Sequence, residues 1–485
     1  MANYPIPGVY VEEISTFPPA VAAVETALPA FLGYTAFRRN AAGADLGQTT
    51  PQRIGSLLEF EARYGRGATP TVGSVELDET GAFLRASVSQ RFYLYDAVRL
   101  FYANGGGDCF IVSLADGFPA NPAVADFTAG LTALETWDEP TLVLAPDAVS
   151  IPEPADPAAF NAYYGLADQI LTHCRTLGDR FGVLDLLAND LTGADFRNQT
   201  GTNGLKYGAA YTPWLEAALP KTLFANDFGN VFGRRGAGAG LGLTAVLTDV
   251  APALVAAVAA ATTPEARQDA ENDLLQSSGI YKGIMRGLNA TPVAVPPSGA
   301  VVGLYAETDR NRGVWKAPAN VSINGVGRPS RAFTESELGN LNVDVTSGKS
   351  INAIRFFTGR GTLVYGARTL AGNDGEYRYV NVRRLMNMLE ESVKKATEQF
   401  VFEPNDANTW VRVRGMIENF LTLLWRDGAL QGARPDHAFR VAIGLGQTMT
   451  AQDVVDGRMI VEIAVAPVRP AEFIILRFMQ HLPTS

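Results

Sequence analysis

The chain has 485 residues, 47% of them hydrophobic and 19% charged, with a formal net charge of −10 at pH 7. That length supplies two or three globular domains, and the acidic balance argues against nucleic acid as the main partner, because phosphate binding needs a basic footprint. Its two cysteines, Cys109 and Cys174, each lie in an apolar segment with no CxxC pair. They read as buried free thiols in a reducing compartment, not as a disulfide framework or a zinc site.

Residues 1–20 read as an arm. VYVEEI alternates like a strand through Val9, Val11 and Ile14, and TFPPA behind it breaks any regular element. The opening MANYPIPGVYVEEIS lacks the basic start and apolar core of a signal peptide, so NQT at Asn198 is a chance match to a glycosylation acceptor. No run of about 18 apolar residues marks a membrane span. The protein is therefore expected in the cytoplasm, unless it leaves by lysis or as part of a particle.

From about 21 to 215, strand and helix patterns alternate. ALPAFLGYTA reads as strand and IGSLLEFEARYG as helix; FTAGLTALETW precedes PTLVLAPD, and YYGLADQILTHCRTLG precedes FGVLDLL, helix before strand each time. Nearly continuous apolar strands alternating with helices predict an α/β layer with a mostly parallel sheet. Within it, NGGGDCFIVSL sets three glycines beside a strand. In RFYLYDAVRLFYA before it, Phe92, Tyr95, Val98 and Tyr102 recur at helical spacing. The glycines thus fall at a helix C-terminus, where carbonyls would repel phosphate. The motif is a helix stop leading into a strand at 109–114.

Residues 220–300 change character. GNVFGRRGAGAGLG and TPVAVPPSGA bracket an Ala-rich helix, VAPALVAAVAAATTPEA, and read as an insertion on the α/β body. From 345 a second unit is expected. INAIRFFTGRGTLVYGARTL gives two short strands, followed by two long helices. Val382, Leu385, Leu389, Val393, Ala396 and Phe400 make one apolar stripe; Trp410, Val413, Ile417, Phe420 and Leu424 make the other. AFRVAIGL and RMIVEIAVAPV read as strands, and AEFIILRFMQHL as a last apolar strand. No internal repeat is visible.

Catalytic patterns fail. SGKS at Ser347–Ser350 resembles the end of a P-loop, but position 343 is Val where Gly is required, and it precedes a strand-like segment. GAGAGLG at Gly236–Gly242 does not satisfy GxGxxG and reads as a flexible loop. Of the three histidines, His173 adjoins Cys174 on a helix, where side chains diverge by about 100°; His437 lies in a turn and His481 in the tail. DRNRG from Asp309 and PNDAN from Pro404 look like turns or helix starts. No metal or nucleotide cofactor is expected, although an α/β enzyme with dispersed carboxylates stays open.

Both ends are strands without an evident local partner. Phe473 and Ile475 alternate with Ile474, Leu476 and Phe478, so the last strand is apolar on both faces. An unpaired apolar strand is an aggregation hazard. It either folds back on 459–467 through PVRPA as a hairpin, or adds to a neighbouring subunit's sheet, as the N-terminal arm would. Arms passed between copies make heterologous contacts that build rings or helical filaments.

The opening YPIPGVYVEEI with VETALPAFLGYTA resembles that of contractile tail sheath proteins of bacteriophages and phage-derived extracellular injection systems. FYANGGGDCFIVSL, DEPTLVLAPD, KYGAAYTPWL, DRNRGVWKAPAN, INAIRFFTGRGTLVYGARTL and RYVNVRRLMNMLEES continue it, with 220–290 the least recognisable stretch. The resemblance implies a sheath subunit, in a phage tail or an injection particle, that polymerises around an inner tube and contracts to drive it through an envelope. It implies an outer α/β domain at about 21–344, an inner tube-facing α+β domain at about 345–470, and arms at 1–20 and 471–485. In the inner domain, two long helices pack on a small sheet completed by neighbours' arms. It implies as partners further copies in stacked, sixfold rings, the tube, and baseplate and cap proteins, with assembly in the bacterial cytoplasm and neither nucleic acid nor membrane insertion. Lys394 and Lys395 on the first helix, with Arg412 and Arg414 beside the second stripe, are candidates for touching the tube; a merely solvated helix face is the plain alternative.

Overall fold

The segment Pro29–Thr35 is a strand buried along its whole length. Phe31 faces one apolar cluster, while Ala30 and Leu32 face another. Its neighbours alternate alike, with Ile111 and Val183 on the first side and Phe110, Val112 and Leu184 on the second. A strand covered on both faces belongs inside a doubly covered sheet. In a computed structural model, which describes residues 20–475 apart from 48, 154, 157, 158 and 237, that sheet has nine strands. Their order is Val321–Ser322, Gly361–Val364, Asn352–Phe357, Gly208–Thr212, Phe181–Asp185, Leu142–Leu144, Pro29–Thr35, Cys109–Asp116 and Gln52–Ile54. The strands from Asn352–Phe357 through Cys109–Asp116 run parallel, and antiparallel strands flank them.

Helices Leu94–Ala103 and Ser298–Arg312 supply the first cluster; Val124–Leu134 and Ala162–Leu177 supply the second. The Leu94–Ala103 helix stops as its glycines predict. The Asn104 N–H bonds back to the Leu100 carbonyl at 3.1 Å, and Gly105 takes φ of +88°. The Ser298 helix packs against this helix through Gly299 and Gly303. A Cβ on either would come within 2.4 Å of the Ala97 carbonyl or 2.6 Å of the Phe101 carbonyl. DRNRG is the end of this helix, not a turn or helix start, since the Gly313 N–H closes on the Asp309 carbonyl. Cys109 and Cys174 are buried free thiols.

A separate four-stranded sheet orders Gly238–Leu241, Phe232–Arg234, Thr71–Leu77 and Phe83–Ser89, with its own apolar cluster under helices between 243 and 290. The expected insertion therefore takes in the hairpin at 71–89. It also ends before 300, because Val295 and Ala300–Ala306 pack in the main core. GAGAGLG contributes a strand rather than a free loop.

The described chain divides into two compact units, one holding Glu25–Asn387 with 469–475, the other Met388–Val468 with 20–24. The sequence reading places this boundary at 344/345. It falls instead at 387/388, within the helix Val380–Thr397, because Asn352–Phe357 pairs in parallel with Gly208–Thr212 and so extends the main sheet. The smaller unit carries the rest of that helix, the helix Ala407–Arg426, and an antiparallel pair, Phe439–Ala442 with Glu462–Val465. Asp406 caps the second helix by accepting from the Thr409 N–H at 3.0 Å, so PNDAN is a helix start. Val413, Ile417, Phe420 and Leu424 are buried, as the stripe requires. His437 lies in a short helix, Pro435–Ala438, rather than a plain turn.

Candidate functional site

In an open α/β sheet, ligands bind beyond the carboxyl ends of the strands, at helix N-termini. Here two such places hold the protein's own carboxylates. Asp147, past the strand Leu142–Leu144, accepts from the N–H groups of Tyr34 at 2.8 Å, of Leu94 at 2.9 Å and of Tyr93. Asp185 accepts from the Ser298 N–H at 2.8 Å and its hydroxyl at 2.6 Å. Burial pushes Asp147 up to about 6 and Asp185 up to about 7, against the pull of those hydrogen bonds. Both carboxylates anchor helix starts. Lys349 of the SGKS turn is buried too, its ammonium donating to the carbonyls of Arg197 at 2.6 Å and Thr200. It staples backbone and is not presented to a phosphate. His173 is held down to about 4 by burial and by the nearby Arg180 guanidinium.

The smaller unit offers surfaces instead. In its antiparallel pair the Ala466 N–H donates to the Ala438 carbonyl at 2.8 Å, and Phe439 lies opposite Val465, Val441 opposite Ile463. Alternation along an antiparallel ladder then turns the main-chain groups of Ile463 and Val465 away from the partner strand. Among the described residues no strand pairs with that edge, and the Ile463 side chain is 39% exposed. It is an open edge with an apolar face.

A second surface lies where the two long helices meet. Lys394 and Lys395 occupy the last turn of the first helix, exposed and within 3.2 and 3.5 Å of Glu391. Arg412 lies over the Phe400 ring and pairs with Glu403 at 3.1 Å. Arg414 is half-buried, and its guanidinium donates to the Ile443 carbonyl. Between the helices Phe402 is wholly exposed and takes φ of +71°, a costly conformation for a bulky residue. Val401 beside it is exposed as well.

The C-terminal segment is the third. Residues 469–475 return to the larger unit, and no hairpin with 459–467 forms among the described residues; Glu462–Val465 pairs with Phe439–Ala442 alone. Arg368 grips the Glu472 carboxylate at two points, 2.9 and 2.7 Å. Phe473, Ile474 and Ile475 follow, exposed by 69%, 81% and 78%.

The family model described as phage tail sheath C-terminal domain matches residues 373–480. The sheath of an extracellular contractile injection system called PVC, solved in its contracted state, is 28% identical. The match covers 99% of each chain with a TM-score of 0.61. The contracted helical sheath of the anti-feeding prophage is 26% identical over 99% of this chain and 100% of its own, with a TM-score of 0.62. This chain resembles contractile sheath proteins along its whole length. The tail sheath protein of Vibrio phage KVP40 is 29% identical over 189 residues, 38% of this chain and 26% of the phage protein. The chain thus spans about a quarter of that relative's length where the two match, but the injection-system sheaths end to end.

Of the residues singled out from the sequence, Lys394, Lys395 and Arg412 gather where the helices meet, whereas Arg414 donates to the Ile443 carbonyl. Phe473–Ile475 are solvent-facing. Val9, Val11, Ile14, Leu476 and Phe478 lie outside the described residues. Three features escaped the sequence reading. Phe402 gave a signal, an aromatic beside Glu-Pro-Asn-Asp in a turn. The Ile463 edge gave one only in the alternation of RMIVEIAV. Glu472 gave none, because its partner Arg368 lies 104 residues earlier.

Proposed function

We propose that this chain is the structural subunit of a contractile sheath, polymerising helically around an inner tube and driving it through a target envelope by contraction. The observation that carries the reading is the open edge at Ile463 and Val465, in a chain whose C-terminal strand residues are themselves solvent-facing. A strand added at that edge would give main-chain hydrogen bonds between copies without a large flat interface, and head-to-tail exchange of that kind builds a filament. In this reading arms at 1–20 and 471–485 reach neighbouring copies. The Met388–Val468 unit faces the tube, and the α/β unit faces solvent.

The tube is met by the cationic rim of Lys394, Lys395 and Arg412 around Phe402. Baseplate and cap proteins close the ends. Contraction is a rigid-body rearrangement from a kinetically trapped lattice to a lower-energy one, so energy stored at assembly replaces nucleotide. End-to-end similarity to injection-system sheaths supports an injection particle over a long phage tail. Assembly takes place in the cytoplasm, and the particle works after release. Negative-stain microscopy of the purified chain tests the reading: tubes or stacked rings are expected, and a monodisperse monomer at all concentrations would defeat it.

A further inference from the structure

We propose that Glu472 is the anchoring residue of the C-terminal arm, and that a socket made by Arg368, Asn342 and Tyr379 fixes where that arm leaves the body. The inference rests on the strand-exchange reading above. The socket is drawn from three separate segments: Asn342 ends the helix Glu335–Asn342, Arg368 lies past the strand Gly361–Val364, and Tyr379 precedes the long helix. Arg368 donates to both Glu472 oxygens, Asn342 Nδ2 donates to one at 2.9 Å, and the Tyr379 hydroxyl donates to the other at 3.1 Å. Two-point guanidinium–carboxylate pairing fixes orientation as well as distance.

Arg368 is also held by residues outside the tail. The Arg368 N–H donates to Asn352 Oδ1 at 2.8 Å, Asn352 Nδ2 donates to the Arg368 carbonyl at 2.8 Å, and a third Arg368 donor reaches the Asn342 carbonyl at 3.1 Å. With Glu472 seated, the Arg368 side chain is 5% exposed, so removing that carboxylate would leave a largely buried positive charge without its partner. Burial then falls away within a single residue, since Phe473 follows directly and is 69% exposed. A loose tail would lose backbone freedom over every residue from Val468 onward when it pairs with a second copy. A tail gripped at Glu472 has already lost that freedom up to its root, which lowers the entropic cost of docking the remainder. Glu472 is therefore a positioning residue for assembly, acting through the apolar residues that follow it.

The test uses full-length Glu472→Ala and Glu472→Gln with a third chain that ends after Glu472. Each is assayed for monomer thermal stability, for hydrogen exchange over 469–475, and for the critical concentration of tube formation. Glu472→Ala is expected to raise the critical concentration by about tenfold or more, to speed exchange over 469–475, and to leave the monomer folded. Glu472→Gln, which keeps the shape and loses the charge, should fall between it and the parent. The shortened chain should form no tubes. If it fails while Glu472→Ala assembles at the parental concentration, the anchor is wrong and the arm reading stands. Normal tubes from the shortened chain would defeat both. Assembly lost only in proportion to folded monomer, in the Ala and the Gln variant alike, would make Glu472 merely structural and overturn the proposal.

Discussion

Arg384 and Asp309 form a two-point ion pair whose side chains are 2% and 7% exposed. Thr26 closes the group: its hydroxyl donates to Asp309 at 2.6 Å, and its carbonyl accepts from Arg384 at 2.9 Å. The guanidinium also lies 4.6 Å over the Tyr305 ring, and the Tyr305 and Tyr211 hydroxyls are 2.5 Å apart. One buried cluster thus ties the first strand's approach, the end of the Ser298 helix and the start of the long helix.

Arg384→Leu should cost about 3–5 kcal/mol, because it leaves Asp309 buried without its counter-charge. Replacing both residues by Leu should cost less than that, since no orphaned charge remains. Urea unfolding of the four chains in the cycle measures the coupling. Additive losses would mean that the pair contributes packing alone.

Asp185 gives a pH signature. Its folded carboxyl is pushed up to about 7 by burial, whereas an unfolded aspartate titrates near 4. A raised group contributes stability that is fully present below about pH 4 and is lost as pH rises through about 7. Asp147, raised to about 6, acts in the same sense. His173, lowered to about 4, acts oppositely: its contribution is present above about pH 6.5 and is lost as pH falls through about 4. Asp185→Asn keeps an acceptor for Ser298 and removes the titration. It should flatten the stability profile between pH 4 and 7 and stabilise the chain at pH 8 by on the order of 2 kcal/mol. An unchanged slope would refute the assignment.

The parallel sheet was readable because each central strand is a short apolar run between helical patterns, and local periodicity suffices for that. The helix stop at Gly105 was readable for the same reason. The unit boundary was not. INAIRFF reads as a strand wherever it pairs, and only the long-range pairing of Asn352 with Tyr211 assigns it to the main sheet. The hairpin at 71–89 went unread, because its strands alternate weakly and close a core with residues some 150 positions away. The candidate surfaces divide likewise. Lys394 and Lys395 show in the helical pattern, whereas the open edge at Ile463 depends on which of two strand faces the pairing leaves free.

Phe402 should trade assembly against stability. A bulky residue in the left-handed region costs about 1–2 kcal/mol, so Phe402→Gly is expected to leave the subunit as stable as the parent or slightly more so, once glycine's extra unfolded-state freedom is set against the relief. Co-assembly with the tube protein should weaken. Reversing Lys394, Lys395 and Arg412 should weaken it further, most of all at low salt, where the new like-charge contacts are least screened; Arg414 is left out because its change would disturb the Ile443 carbonyl. Co-sedimentation of sheath and tube at two ionic strengths reads both effects, and unaltered co-sedimentation of every variant would remove this surface from consideration.

A proline scan along 462–465 separates the edge that accepts a strand from the edge that holds the fold. Proline removes one N–H donor and fixes φ near −65°. At Ile463 the lost donor points away from Phe439–Ala442, so the subunit should remain folded, with only the modest strain of a proline in an edge strand. If a neighbour's arm adds there, that one donor belongs to the intersubunit ladder at every lattice position, and tube formation should fail cooperatively. At Ala464 the lost donor lies in the pair with Arg440, so Ala464→Pro should lower monomer stability first and assembly as its consequence. The two variants differ by one position along the strand, and composition and burial change little between them. Thermal unfolding and negative-stain microscopy on both therefore give opposite patterns if the edge is an acceptor. A folded Ile463→Pro subunit that still forms normal tubes would mean that the arms pair elsewhere.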